Sequence, residues 1–120
     1  VAAYKLIEKT YYTRLNGVKH LIRGNHDEES DQFYLNAGFE SVNDCLIIDD
    51  LFLCHYPCYK SKWCTKEEKV YIDIVNRFGI KKVIHGHVHN KDPKDWDPDG
   101  IERVNASVDF TPNELKPITV

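Results

Sequence analysis

No run of apolar residues in this chain comes near the roughly 20 needed to cross a bilayer as a helix. No signal-peptide pattern of a basic stretch, an apolar core and a small-residue cleavage site is found. No pair among its four cysteines, Cys45, Cys54, Cys58 and Cys64, has C-x-x-C spacing, which removes the usual framework of a structural zinc site. Internal repeats and low-complexity segments are absent as well. Neither sign of charge dominates: 16 basic and 19 acidic residues leave a formal charge of -3. That balance argues against a nucleic-acid or membrane partner. It leaves room for a phosphate-bearing small molecule, because a bound metal supplies local positive charge. The composition is not that of a small secreted scaffold, so reduced thiols and a cytoplasmic location are expected.

A chain of 120 residues suffices for one domain with a real core, since a domain of this size buries about two-thirds of its unfolded surface. Val1 to Leu15 reads as a helix, with Ala3, Leu6, Ile7 and Tyr11 near one face. Asn16-Gly17 is a turn signal, and Val18 to Ile22 reads as a short strand. A short helix is expected near Gln32 to Asn36, stopped by Gly38. The apolar runs Cys45 to Ile48 and Leu51 to Cys54, split by Asp49-Asp50, read as a hairpin. Thr65-Lys66-Glu67-Glu68 is a capping box. The helix it opens carries Tyr71, Ile74, Val75 and Phe78 on one face and ends at Gly79. Lys81 to Ile84 reads as a strand, Asn90 to Gly100 as a loop, and Glu102 to Asp109 and Lys116 to Val120 as closing strands. The order predicts a sheet-based α/β (α+β) chain, and ligands in layered folds of this kind gather at the C-terminal ends of strands.

Three donor clusters lie at such ends: Gly24-Asn25-His26-Asp27, the isolated His55, and Gly86-His87-Val88-His89. Glycine allows sharp turns and close approach of a ligand. Imidazole combined with amide or carboxylate oxygen suits borderline ions such as zinc, manganese and iron. Three clusters so far apart in sequence suggest one metal centre assembled by folding. In Gly86-His87-Val88-His89 a strict strand would put both imidazoles on one face. His85 is expected to support the site or the core, and His20 to be a surface or sheet residue. Trp63 and Tyr59 line a substrate pocket or cap the core. Asp95-x-Asp97-x-Asp99-Gly100 imitates half of an EF-hand. Its twelfth position is Ala106, where a bidentate glutamate is needed, so an acidic turn is expected instead.

The three clusters, in this order and spaced by 30 and 32 residues, resemble the third, fourth and fifth motifs of the calcineurin-like metallophosphoesterases. Val104-Asn105-Ala106-Ser107-Val108-Asp109 and Lys116-Pro117-Ile118 are similar to the tail of a compact bacterial or phage branch of that family. The resemblance covers residues 18 to 120. It implies a four-layer αββα sandwich and two divalent ions (manganese favoured, with iron, zinc or nickel as alternatives). Asn25, His55 and His87 would bind one ion and His89 the other. His26 would stabilise the transition state or protonate the leaving oxygen, oriented by Asp27, and Arg23 would contact phosphate. The implied reaction is hydrolysis of a phosphomonoester or phosphodiester of a small molecule, in a monomer or a homo-oligomer.

The family also carries an early Asp-x-His and a Gly-Asp motif. Residues 1 to 23 contain no aspartate. With the start at Val1, residues 1–120 are expected to be a single domain, the C-terminal part of a calcineurin-like domain without its N-terminal motifs. The fragment alone would then be inactive. Two rivals follow: a non-catalytic interaction scaffold of the same fold, and a nuclease of the same superfamily, which the charge does not favour.

Overall fold

The two apolar runs around Asp49-Asp50 form the hairpin that organises the larger part of the molecule. In a computed structural model of the chain, residues 17–61, 64–89, 99–107, 113–114 and 118 are described. Strands β3 (Cys45–Ile48) and β4 (Leu51–Cys54) pair antiparallel, from Cys45 opposite Cys54 to Ile48 opposite Leu51. A two-residue turn of this kind needs a left-handed residue, and Asp49 provides it at φ 56°. Strand β5 (Lys82–His85) lies parallel to β4, and β6 (Glu102–Asn105) lies parallel to β5. The sheet order is β3-β4-β5-β6.

Parallel neighbours require a long crossover. Between β4 and β5 that crossover contains helix α2 (Lys66–Arg77). Its capping box is complete: Glu68 N donates to Thr65 Oγ1 at 3.3 Å and Thr65 N donates to Glu68 Oε2 at 3.0 Å. The core joins Phe52 and Cys54 of β4, Cys58, Val75 of α2, Ile80 and Val83 of β5, with Tyr71, Ile72 and Ile74 packed at its margin. The expected helical stripe ends one turn early. Phe78 is 62% exposed because it is the C-cap, already out of helical conformation, and Ile80 takes the inward place beyond it.

Residues 17–44 build a smaller arrangement. Strand β1 (His20–Ile22) pairs in parallel with β2 (Ser41–Asn43), and helix α1 (Asp31–Asn36) lies between them in sequence. Ser30 caps α1 by accepting from Phe33 N at 3.2 Å. Tyr34 of the helix and its C-cap Ala37 are buried, at 2% and 0% exposure. Strand β2 has no counterpart in the sequence reading. The chain divides into two compact units, Val1–Asp44 and Cys45–Val120.

The mixed α+β class expected from the sequence is the class observed. The helix expected over Val1 to Leu15 lies outside the described residues. So do Trp63, Asp95, Asp97 and all of the closing strand from Lys116 except residue 118. Among the described residues no helix is long and apolar enough to cross a membrane.

Candidate metal centre

In the first unit, β1 ends at Ile22 and the chain turns through Gly24-Asn25-His26-Asp27. The turn is closed from within: Gly24 N donates to Asp27 Oδ2 at 2.7 Å, and Asp27 N donates to Gly24 O at 3.1 Å. It is also strapped from the side. Arg23 donates to Asp27 O and Glu29 O, both at 2.7 Å, and to Asp31 Oδ1 at 2.6 Å, while its guanidinium lies over the Tyr34 ring. Arg23 is therefore occupied with the backbone of the loop and not extended toward a phosphate. The hydrogen bond to Asp31 raises its already high pKa further. Asp27 likewise binds Gly24 N rather than the imidazole of His26. That ring instead has Nε2 3.4 Å from Asn25 Nδ2. Asn25 and His26 are both exposed, as a residue that must meet a ligand requires. His20 is an exposed sheet residue whose Nδ1 lies 2.6 Å from Ser41 Oγ.

In the second unit, adjacent parallel strands deliver the histidines. His55 follows directly after β4, and His87 lies two residues beyond the end of β5. The sheet ladder continues past the strand ends, with Gly86 N donating to His55 O at 2.9 Å. The two imidazoles converge, His55 Nε2 standing 3.1 Å from His87 Nδ1, with the rings edge to face. Tyr56 packs its ring against both, at 5.0 Å from His55 and 4.8 Å from His87 between centroids, and stacks on Tyr71 behind. Burial raises the Tyr56 hydroxyl pKa, so the ring is a neutral wall beside the histidines.

The Gly86 turn is not the strict strand that would put both imidazoles on one face. Strand β5 stops at His85, and His87 and His89 take left-handed conformations at φ 66° and 52°. Gly86 has no positive φ, so at this turn it is the histidines that adopt the conformation usually left to glycine. Left-handed backbone costs a non-glycine residue about 1–2 kcal/mol, and strain of this kind gathers at functional sites. At either position glycine is expected to give a more stable protein than alanine by about 1 kcal/mol. Urea unfolding of the four single variants measures this; equal midpoints within each pair would show that the strain is absent.

Several contacts hold this turn. Asn105, 2% exposed at the end of β6, donates from Nδ2 to His89 O at 2.6 Å. Its own Oδ1 accepts from Ser107 N at 3.0 Å, and Asn113 Nδ2 donates to Asn105 O at 2.8 Å. His85 is 2% exposed, and burial lowers its pKa to about 4, leaving a neutral imidazole beneath the turn. The expectation of a supporting role for His85 agrees with this place. None of the four cysteines is in a disulfide. Hydrogen bonding with Cys54, and then burial, raise the Cys58 thiol, so it is a protonated core residue that donates to Tyr56 O.

The donor chemistry fits a metal ion. Two imidazole nitrogens bound to one ion at about 2.0–2.1 Å stand about 2.8–3.4 Å apart across octahedral to tetrahedral angles, and His55 and His87 are 3.1 Å apart. Without an ion, that distance requires at least one ring to present a lone pair to the other's N–H. Both rings protonated would set two donors face to face. Among the described residues no group of three or more His, Cys, Asp or Glu side chains gathers as a metal site. The described residues of the second unit thus supply two converging imidazoles and no carboxylate beside them. Tyr56, Asn105 and Arg103 went unassigned in the sequence; only their distant contacts reveal them, although Asn105 stands in the tail segment that carried part of the resemblance.

No family model matches the chain. No curated protein matches it. Among solved structures, it is similar to the crystal structure of AQ665, a protein of unknown function from Aquifex aeolicus. The two are 29% identical, with a TM-score of 0.66, over 92% of this chain and 61% of that one. The chain therefore spans about three-fifths of the length of the solved structure it matches.

Proposed function

We propose that this chain is the C-terminal part of a calcineurin-like metallophosphoesterase, hydrolysing a phosphomonoester or phosphodiester of a small molecule. The observation that carries the reading is the 3.1 Å approach of His55 Nε2 to His87 Nδ1 at the ends of two adjacent parallel strands. The order of the three donor clusters in the sequence supports it. His55 and His87 would hold one divalent ion together with the Asn25 amide, and His89 would hold a second. Bound ions of this kind supply Lewis acidity and an activated water at neutral pH. Manganese is favoured, with iron, zinc or nickel as alternatives.

The chain's own groups then have distinct tasks. Asn25 contributes an oxygen without charge, so it does not dull the electrophilicity of the centre. His26, exposed at the tip of its turn, donates a proton to the leaving oxygen. Asp27 and Arg23 hold that turn in shape through the Gly24 and carbonyl hydrogen bonds. The reading requires a bridging carboxylate, and residues 1–23 contain no aspartate. By the resemblance, that ligand would come from chain outside these 120 residues or from another subunit.

The test is hydrolysis of p-nitrophenyl phosphate and bis(p-nitrophenyl) phosphate by the full-length protein after manganese loading. EDTA is expected to abolish turnover and manganese to restore it. His26→Gln is expected to lower kcat by about 10²–10⁴-fold with metal content unchanged. Full activity in His26→Gln, His55→Ala and His87→Ala would overturn the reading. A folded protein that binds no metal would point instead to an interaction scaffold.

A further inference from the structure

Arg103 has a guanidinium that reaches across the sheet. It sits on β6, opposite Val83 of β5, and β6 is not a neighbour of β4. Its side chain is only 4% exposed, yet it bonds to the segment that follows β4. Nε donates to Pro57 O at 2.8 Å and Nη2 donates to Cys58 O at 3.0 Å. The remaining face of the fork meets Asp99, with Nη1 2.8 Å from Oδ1 and Nη2 2.8 Å from Oδ2. The plane lies over the Tyr59 ring, 5.0 Å from its centroid. Asp99 is itself fixed by Ile101 N, which donates to Oδ1 at 3.1 Å. The hydrogen bond from Arg103 holds the Asp99 carboxyl below its usual pKa, so the buried cation has a fully charged partner.

The two carbonyls that Arg103 holds belong to the second and third residues after His55. Cys58 is left-handed at φ 56°, so the segment follows a bent path that must be fixed from outside. On its upstream side His55 is fixed by the bond from Gly86 N. Arg103 fixes the downstream side. A lysine ammonium has one nitrogen and cannot span two carbonyls and a carboxylate in the geometry of a fork. Arg23 does the same for the Gly24 turn, through Asp27 O and Glu29 O; two of the three segments that bear the proposed site residues are held by an arginine bound to backbone carbonyls.

We propose that Arg103 is a positioning residue that latches the 55–58 segment and so sets the approach of His55 to His87. The proposal rests on the metal reading above for its consequence, but its geometric part can be tested without a metal. In metal-free protein, long-range proton–nitrogen spectra of the imidazoles are expected to show one fixed tautomer each for His55 and His87. In Arg103→Lys those two rings are expected to average between tautomers, with the backbone amide spectrum of β3 to β6 retained. Manganese affinity is expected to fall about 10–100-fold, the usual loss when a group supporting a ligand is removed. A wild-type imidazole spectrum in Arg103→Lys would overturn the proposal, whatever the metal does. If the wild type binds no manganese, the functional reading fails, and the imidazole spectra still decide the role of Arg103. Should Arg103→Lys lose its amide spectrum altogether, Asp99→Asn serves in its place. It removes the anionic anchor of Nη1 and Nη2, so the fork is expected to slip from the two carbonyls and manganese affinity to fall about 10-fold, the low end of the same range. An unchanged imidazole spectrum in that variant would overturn the proposal equally.

Discussion

His87→Ala is expected to lower manganese affinity by at least about 100-fold while leaving the metal-free fold nearly as stable as before. Removing a group that merely supports a ligand already costs about 10–100-fold, and His87 is proposed as a ligand. The structural cost is small by comparison. The ring is half-buried and packs edge to face against Tyr56 and His55. Such aromatic pairs contribute about 0.5–1.5 kcal/mol. His87→Gly is the matched control, since it removes the same imidazole and also relieves the left-handed backbone at φ 66°. Both variants are expected to lose metal equally, although glycine gives the firmer fold. Isothermal titration with manganese reads the affinity. A His87→Ala protein that binds manganese like the wild type would remove His87 from the centre.

Phe52→Ala is expected to destabilise the second unit by about 3–5 kcal/mol. Phe52 is fully buried on β4, between Ile47 of β3 and Val83 of β5, and its ring lies 6.4 Å from that of Tyr71 on α2. It therefore joins the sheet to the helix that covers it. Whole domains are stable by only about 5–15 kcal/mol, so this one substitution removes a third or more of a typical total. The loss would be felt at the site as well, because the strand that carries Phe52 leads directly into His55. Val70→Ala on the outer side of α2, where Val70 is 60% exposed, is expected to stay within about 0.5 kcal/mol of wild type. Urea unfolding compares the two. A Phe52→Ala cost below about 1 kcal/mol would mean that the core is not organised around this residue.

What could be read in the sequence was local. The hairpin was legible because two apolar runs flank Asp49-Asp50, and the start of α2 because Thr65 and Glu68 stand at capping-box spacing. Strand β2 was not legible. Ser41-Val42-Asn43 has polar residues at both ends, and only pairing with β1 makes it a strand. The left-handed backbone at His87 and His89 is not legible for a similar reason. A strand pattern continued through Gly86 predicts both imidazoles on one face, but β5 ends at His85 and the histidines take the left-handed backbone themselves. Asp27 was expected beside His26 and instead closes its own loop. Arg103 was one polar residue in a closing strand; its partners lie 45 and 46 residues away, beyond the reach of any periodicity. The motif residues could be named from the sequence, whereas the groups that hold them in place could not.

The most direct test of the metal centre is anomalous diffraction from a manganese-soaked crystal of the protein. The account predicts a manganese peak bound by both His55 Nε2 and His87 Nδ1. A crystal with no peak at that pair, or with its manganese bound elsewhere, would contradict it.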